Sequence, residues 1–176
     1  RGLGDVYKRQ ERMSKKPFVS KEKLDEIAAQ YATPFYLYDE AAIRETARRV
    51  NKAFAWNQGF KEYFAVKATP NPAILKILHE EGCGADCSSY TELQMADAVG
   101  FKDDEIMFSS NATPAEDFQL ARQLNVTINL DDITHIDFLE KVADIPDTVS
   151  CRYNPGGLFK ISNDIMDNPG DAKYGM

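Results

Sequence analysis

The sequence predicts an α/β fold, and within this class a partial (β/α)8 barrel of the TIM type. Five apolar, strand-like segments have their centres near residues 64, 86, 107, 128 and 151. Helical patterns lie between them, and strands that alternate with helices at so steady a spacing form right-handed parallel βαβ units. The even spacing, and the lack of a G-x-G-x-x-G run after the first strand, favour the barrel over an open doubly wound sheet. With about five of eight strands present, the barrel is expected to be incomplete.

The part before the barrel follows a different pattern. Residues 1–12 precede the first methionine, Met13, and lack apolar periodicity, so we interpret them as a non-native extension. Ser20 suits the N-cap of a short helix, and the aromatic-rich residues 35–38 are typical of a strand. A second helix is predicted from residue 39 to about residue 54 because its apolar residues fall on one face.

Within the predicted barrel, cap signals mark the start of the helices. Pro72 stands at the first position of one helix, where proline is common. Ser89 with Glu92, and Thr113 with Glu116, match the S/T-x-x-E pattern of a capping box. The strands that these helices separate are predicted at 63–66, 85–87, 105–108, 126–130 and 149–153.

Charge and composition argue against several classes of function. The 176-residue chain has a formal net charge of −7 and lacks the basic footprint of a nucleic-acid-binding protein. No apolar run approaches the roughly 20 residues that span a bilayer, and no secretory signal pattern is visible. The three cysteines fit a reducing compartment, so a cytoplasmic protein is expected. Cys83 and Cys87 lack further ligands at zinc-site spacing, so no metal is expected.

Lys67 directly follows the first apolar strand of the predicted barrel. In such barrels the carboxyl end of every strand faces the active site. A lysine that is desolvated there has a lowered pKa and a free amine that can form a Schiff base with a carbonyl group. The alternative is a strand-end lysine whose amine extends into solvent, and position alone does not choose between the two.

The chain contains a series of motifs that begins before Lys67 and continues far beyond it. These motifs resemble those of the fold-type III pyridoxal-phosphate decarboxylases, and among them the diaminopimelate decarboxylases. The run Phe64-Ala65-Val66-Lys67-Ala68 matches the family's lysine signature. The resemblance covers nearly all of residues 31–176, in order. The matching runs are 33–39, 64–68, 71–75, 82–93, 106–111, 152–156 and 173–175. This chain departs from the common pattern at Thr69, where the family usually has asparagine, and at the pair Ser109-Ser110, where many members have His-Gly.

This resemblance implies that pyridoxal phosphate is the cofactor and that Lys67 is the catalytic residue that carries it covalently. It also implies cofactor-binding roles for Asp86, Arg152 and Asn111. Each has a simpler explanation. Asp86 would contact backbone N–H groups at a helix start, Arg152 would form a strand-end ion pair, and Asn111 would belong to a turn. Glu92 matches a family position too, but the capping box already accounts for it.

For the whole protein, the resemblance implies decarboxylation of meso-2,6-diaminopimelate to L-lysine by a homodimer acting in lysine biosynthesis. Residues 13–44 would contribute a helix and a strand to a second, β domain. Residues 45–176 would form a truncated, alanine-racemase-like barrel that binds pyridoxal phosphate. Much of the family's site would lie beyond Met176, so the 176-residue chain is expected to be inactive alone.

Other proteins of the same fold remain as alternatives. Carboxynorspermidine, arginine and ornithine decarboxylases share the lysine signature. Alanine racemase shares it too, although its lysine motif usually continues into a Tyr-Gly-His run that this chain lacks. A non-catalytic barrel that holds pyridoxal phosphate is a further alternative. Such proteins are usually a barrel alone, and the strand-like residues 35–38 before the barrel argue against it.

Overall fold

The computed structural model describes residues 16–158 and 174–176, and the chain divides into two units, Arg1–Glu40 and Ala41–Met176. In the first unit, helix α1 spans Lys21–Gln30. It begins where predicted, because Ser20 Oγ accepts a hydrogen bond from the amide of Lys23 at 3.2 Å. The predicted non-native extension, residues 1–12, lies outside the described residues.

The aromatic residues 35–38 are not in a strand, contrary to the prediction. Their composition favours an extended backbone, but a strand also requires a neighbouring strand to hydrogen-bond with, and composition does not supply one. The rings of Tyr36 and Tyr38 instead stack, with centroids 6.4 Å apart, and Tyr36 is 90% exposed.

A five-stranded sheet forms the framework of the second unit, with its strands in the order β1-β2-β3-β4-β5. The strands are β1 Tyr63–Ala65, β2 Gly84–Cys87, β3 Ile106–Phe108, β4 Thr127–Leu130 and β5 Ser150–Cys151. Each neighbouring pair is parallel. The spatial order follows the chain order, whereas a doubly wound sheet reverses its order partway. The predicted fold class, part of a TIM-type barrel, is therefore confirmed.

Helix α2, Glu40–Ala53, precedes β1. Four helices connect the strands in the manner of successive βα units, namely α3 Pro72–Glu80, α4 Tyr90–Val99, α5 Ala115–Gln123 and α6 Thr134–Ala143. Short 3₁₀ turns occur at Val66–Ala68, Asp103–Glu105 and Gly156–Leu158. Within the described ranges, no helix has the length and apolar character needed to cross a membrane.

The helix starts agree only partly with the predicted caps. Ser89 Oγ accepts from the Glu92 amide, but the Glu92 carboxylate accepts from the amide of Ser88, one residue before the predicted donor. The second capping box does not form. Helix α5 starts one residue late, with Pro114 in an extended conformation as its N-cap. Thr113 then lies outside the helix, and its Oγ1 is buried without a hydrogen-bond partner.

The hydrophobic core lies between the helices and one face of the sheet. Side chains two residues apart along a strand share a face, so alternate residues of β2, β3 and β4 point the same way. The buried strand residues on this face are Ala85, Cys87, Ile106, Phe108, Ile128 and Leu130. The helix residues of the same cluster are Leu75, Leu93, Ala96, Phe118, Ala121 and Leu139. The intervening strand residues occupy the opposite face, which would line the inside of a closed barrel.

Candidate active site

The inner face of the sheet, opposite the hydrophobic core, carries a cavity of about 310 Å³ that is lined mostly by polar residues. Cavities that hold small ligands in proteins measure roughly 300–1,000 Å³. The lining residues come from all five strands or the residues that follow them. They are Tyr63, Asp86, Met107, Ser109, Asn129, Ser150 and Arg152. Two of the predicted cofactor-binding residues, Asp86 and Arg152, are therefore brought to one cavity.

Asp86 is the third residue of β2 and is half-buried in this cavity. The Ser109 hydroxyl donates a hydrogen bond to Asp86 Oδ1. Burial raises the pKa of the Asp86 carboxyl, while the Ser109 hydrogen bond and the positive charges of Lys67 and Arg152 act in the opposite direction. Asp86 is thus a carboxylate held partly out of water, with two cations near enough to influence it.

Lys67 lies in the 3₁₀ turn Val66–Ala68, immediately after β1, and is exposed. It does not line the cavity. Its neighbour Val66 is fully buried, which fixes the backbone of the turn from which Lys67 projects. Its positive charge acts to lower the pKa of Asp86, which lies near the carboxyl end of the neighbouring strand β2.

Arg152 directly follows β5, and its amide donates to the carbonyl of Leu130 at 2.9 Å. Its Nη1 lies 2.7 Å from Oδ1 of Asp131, a carboxylate that is only 3% exposed. The contact is an ion pair, although the N–H bonds are not aimed well enough to form a hydrogen bond. Arg152 therefore forms the strand-end ion pair that was considered as its alternative explanation. Its guanidinium also lines the cavity.

Asn111 is exposed in the loop between β3 and α5 and does not line the cavity. Its predicted role in cofactor binding stays a prediction. Glu92 makes the backbone and side-chain hydrogen bonds of a helix start, with Ser88 as the donor in each case. These contacts agree with its structural explanation.

Several cavity residues were not identified from the sequence. Ser109 bonds Asp86, and the hydroxyl of Ser150 donates to Oδ1 of Asn129 at 2.8 Å, across strands β5 and β4. The signal for them lies in the strands themselves. Asn129 and Ser150 are register partners, and polar residues at every second strand position mark the inner face.

Tyr63, the first residue of β1, lines the cavity as well. Its hydroxyl donates to the carbonyl of Asp104 at 2.5 Å, and its ring lies across Gly84, its register partner on β2. A Cβ at Gly84 would stand 2.6 Å from Tyr63 Cδ1 and 2.7 Å from the carbonyl oxygen of Glu105. Only glycine leaves room for this ring.

The cysteines take no part in this cavity. Cys83 and Cys87 are buried, and burial raises the pKa of both thiols, so neither is a reactive thiolate. Cys151 is exposed. In the part of the chain that the structure describes, no group of three or more His, Cys, Asp or Glu side chains is arranged to hold a metal ion.

Comparison with known proteins identifies the family. Residues 40–176 match the family model described as "Pyridoxal-dependent decarboxylase, pyridoxal binding domain". The match extends over more than half of the chain, and the chain belongs to this family. Its cofactor is pyridoxal phosphate.

Individual relatives agree with this assignment. Protein TabA of Pseudomonas amygdali pv. tabaci is 44% identical over 153 residues, which are 87% of this chain and 35% of that protein. The diaminopimelate decarboxylase of Methanothermobacter thermautotrophicus is 37% identical over 131 residues, 74% of this chain and 31% of the relative. This chain thus spans about a third of the length of the curated relatives that it matches.

Solved structures show the same fold. The crystal structure of diaminopimelate decarboxylase from Helicobacter pylori complexed with L-lysine matches with a TM-score of 0.59 and 32% identity, over 68% of this chain and 30% of that one. Ornithine decarboxylase from Entamoeba histolytica matches with a TM-score of 0.61 and 27% identity, over 70% and 39% of the two chains.

The residues of the inner face fit a cofactor of this kind. Pyridoxal phosphate carries an aldehyde, which requires an accessible amine, and Lys67 is exposed at the carboxyl end of β1. It also carries acceptor oxygens and negative charge, which suit the guanidinium of Arg152. The cavity supplies this cation together with one half-buried carboxylate, Asp86.

Proposed function

We propose that the full-length protein is a diaminopimelate decarboxylase, which converts meso-2,6-diaminopimelate to L-lysine in lysine biosynthesis. The main support is that diaminopimelate decarboxylases of distant organisms match the same stretch of this chain. One example is that of Zymomonas mobilis, 35% identical over 159 residues. The family assignment supports the reaction type, a decarboxylation that depends on pyridoxal phosphate, more strongly than it supports the substrate.

In this proposal four residues serve the cofactor. Lys67 provides the amine for covalent attachment, since it is exposed at the end of β1. Arg152 holds an anionic or acceptor group at the cavity, and Asp86 faces the same space. Asn111 would join them only if its loop approached the bound group, because its side chain does not line the cavity.

The chemistry divides between the cofactor and the chain. Pyridoxal phosphate, when bound, supplies the electron sink for the carbanion that is left when carbon dioxide departs. The positive charge of Lys67 acts to lower the pKa of the Asp86 carboxyl, so the two groups attract each other at the carboxyl end of the sheet. Lys67 can then hold or deliver a proton at its Nζ atom. Ser109 keeps the Asp86 carboxyl in place through its hydrogen bond.

We also propose the domain assignment. Residues 13–44 would belong to a second, β domain, and residues 45–176 would be the first part of a barrel. Two observations support a boundary near residue 40. The compact unit of the sheet begins at Ala41, and the family match begins at residue 40. The full-length protein would act as a homodimer, and the 176-residue chain alone would release no carbon dioxide.

Decarboxylation of a different amino acid is the second candidate. The name of Protein TabA, the relative with 44% identity, does not specify a substrate. An ornithine decarboxylase is among the structures of the same fold. The substrate therefore has to be decided by assay.

The test uses the full-length protein expressed with pyridoxal phosphate. Carbon dioxide release is measured on diaminopimelate, lysine, ornithine, arginine and carboxynorspermidine. We expect rapid turnover of diaminopimelate and much slower release from the others. Lys67→Ala should lose both turnover and the absorbance of the imine that the cofactor forms with lysine, whereas Lys76→Ala, a change of an exposed helix lysine, should keep both. Faster turnover of another amino acid would make that compound the substrate instead of diaminopimelate. Turnover by Lys67→Ala would overturn the role of Lys67.

A further inference from the structure

Arg152 is held by groups from two other parts of the chain. Its Nη1 lies 2.7 Å from Asp131 Oδ1, just past the end of β4. The centre of the guanidinium lies over the ring of Tyr174, 5.4 Å from the centroid. A cation over an aromatic face at this distance is attracted by the ring. The ion pair attracts one end of the planar guanidinium and the Tyr174 ring covers its face, while the guanidinium also lines the cavity.

The backbone brings Tyr174 to this position. The amide of Met176 donates to the carbonyl of Arg152 at 2.9 Å, and the amide of Asn154 donates to the carbonyl of Met176 at 2.9 Å. Asn154 Nδ2 also donates to the carbonyl of Tyr174 at 2.8 Å. Residues 174–176 are thus tied along residues 152–154.

Gly175 makes this close approach sterically feasible. Its φ of +84° is one that side chains rarely adopt. A Cβ there would stand 3.0 Å from Asn154 Cβ and 3.2 Å from Arg152 Cγ. The Lys-Tyr-Gly run noted in the sequence therefore has a local structural reason, because its glycine lets the Tyr174 backbone pass next to Arg152.

Asp131 is not an ordinary surface partner. It is 3% exposed, and removing the partner of a buried ion pair leaves a charge whose burial is costly. The Arg152 side chain, by contrast, is 37% exposed and faces the cavity. The buried member of the pair is the fixed one, and it restrains the member that faces the ligand space.

We propose that Asp131 and Tyr174 are positioning residues, which hold the Arg152 guanidinium in the orientation that binds the anionic cofactor. This inference rests on the proposed function, in which Arg152 contacts pyridoxal phosphate. Neither Asp131 nor Tyr174 lines the cavity, so both act through Arg152.

The test measures the dissociation constant of pyridoxal phosphate by absorbance titration of the cofactor-free, full-length enzyme. Asp131→Asn should weaken binding about tenfold, the low end of the effect of removing an orienting partner at metal sites. Tyr174→Leu should weaken it about 2- to 5-fold, as expected for loss of a cation–π contact. Tyr174→Phe keeps the ring and should bind as the unsubstituted enzyme does.

The decisive comparison repeats the substitutions in an Arg152→Lys background. Both residues act through the guanidinium, which this background lacks. In such a double-mutant cycle, Asp131→Asn and Tyr174→Leu should therefore change the affinity for pyridoxal phosphate by less than about twofold. The positioning role would be overturned if the substitutions weakened cofactor binding equally in both backgrounds. It would also be overturned if Arg152→Lys itself did not weaken cofactor binding. If Asp131→Asn does not fold, the Leu and Phe variants of Tyr174 decide the question. Failure of the unsubstituted enzyme to bind pyridoxal phosphate would instead refute the proposed function, and this inference with it.

Discussion

The hydroxyl of Ser109 donates a hydrogen bond to Oδ1 of Asp86, and so joins the ends of β3 and β2 inside the polar cavity. The hydrogen bond favours the ionised carboxylate, whereas burial favours the neutral acid and has the larger effect. The pKa of Asp86 is consequently raised in the folded protein. A carboxylate at this position therefore costs stability at neutral pH.

Substitution Asp86→Asn should stabilise the cofactor-free protein at neutral pH. The folded-state pKa of Asp86 lies above the unfolded value of about 3.9, so folding favours the protonated form. As the pH rises from below the unfolded pKa through the folded pKa, the free energy of unfolding decreases and then stays reduced. Asparagine cannot ionise, so this decrease is absent. Urea unfolding of both proteins across this range measures the difference, which should vanish at the acidic end.

Asp132→Asn is the matched control, because the pKa of Asp132 is shifted in the opposite direction to that of Asp86. Hydrogen bonds from the side chain and amide of Thr134 lower the pKa of Asp132. Its stabilising effect is present above the unfolded pKa and is lost as the pH falls through the folded pKa. The Asp132→Asn protein should therefore be less stable at neutral pH. If both variants shifted stability in the same direction, the assignment for Asp86 would be wrong.

Gly84→Ala should destabilise the sheet by about 1–3 kcal/mol, the usual cost of overpacking. Its Cβ would meet the Tyr63 ring and a backbone oxygen of Glu105, both well inside contact distance. Gly59→Ala is the control, since the nearest atom to its Cβ is 3.6 Å away, and its effect should stay within about 0.5 kcal/mol. Chemical denaturation gives both values. Similar stabilities for the two variants would show that the Tyr63 ring does not pack on Gly84.

The barrel assignment predicts a difference in cysteine reactivity between two lengths of the protein. Cys151 lies on β5, the last strand of the sheet in the described residues, and is exposed in this chain. Cys151 lies on the same face of the sheet as its register partner Leu130, a core residue, and in a longer barrel the next βα unit would extend the packing over this face. A maleimide should therefore label Cys151 rapidly in the 176-residue chain and slowly in the full-length protein. Cys87, which is buried, should be slow in both. Equally rapid labelling of Cys151 in the full-length protein would contradict the closed barrel.

The repeating βα part of the fold could be predicted from the sequence because each unit shows the same local pattern. An apolar strand, a capped helix and a steady spacing determine which segments pair and in what order, and the five strands formed as predicted. Residues 35–38 had the composition of a strand but are not in one, since pairing depends on a partner elsewhere in the chain. The Thr113 capping box failed for a local reason, because Pro114 took the N-cap position.

The candidate site was predictable for residues at or just past the carboxyl ends of the strands. Asp86 and Arg152 were placed at the cavity by strand position and by the family resemblance together. Their supporting partners were not foreseen. Ser109 and Asp131 act on residues of neighbouring strands about 20 positions away in the chain, and no local pattern marks such a contact. The position of Tyr174 beside Arg152 likewise depends on backbone pairing between distant segments.

The central claim is that Lys67 carries the cofactor, and borohydride reduction tests it most directly. Reduction of the full-length protein with pyridoxal phosphate bound fixes the cofactor permanently to the lysine that holds it, and peptide mass spectrometry then locates it. We expect the phosphopyridoxyl group on Lys67 at close to one group per chain, with the exposed helix residue Lys76 unmodified. A stoichiometric label on another lysine, with Lys67 unmodified, would contradict the account.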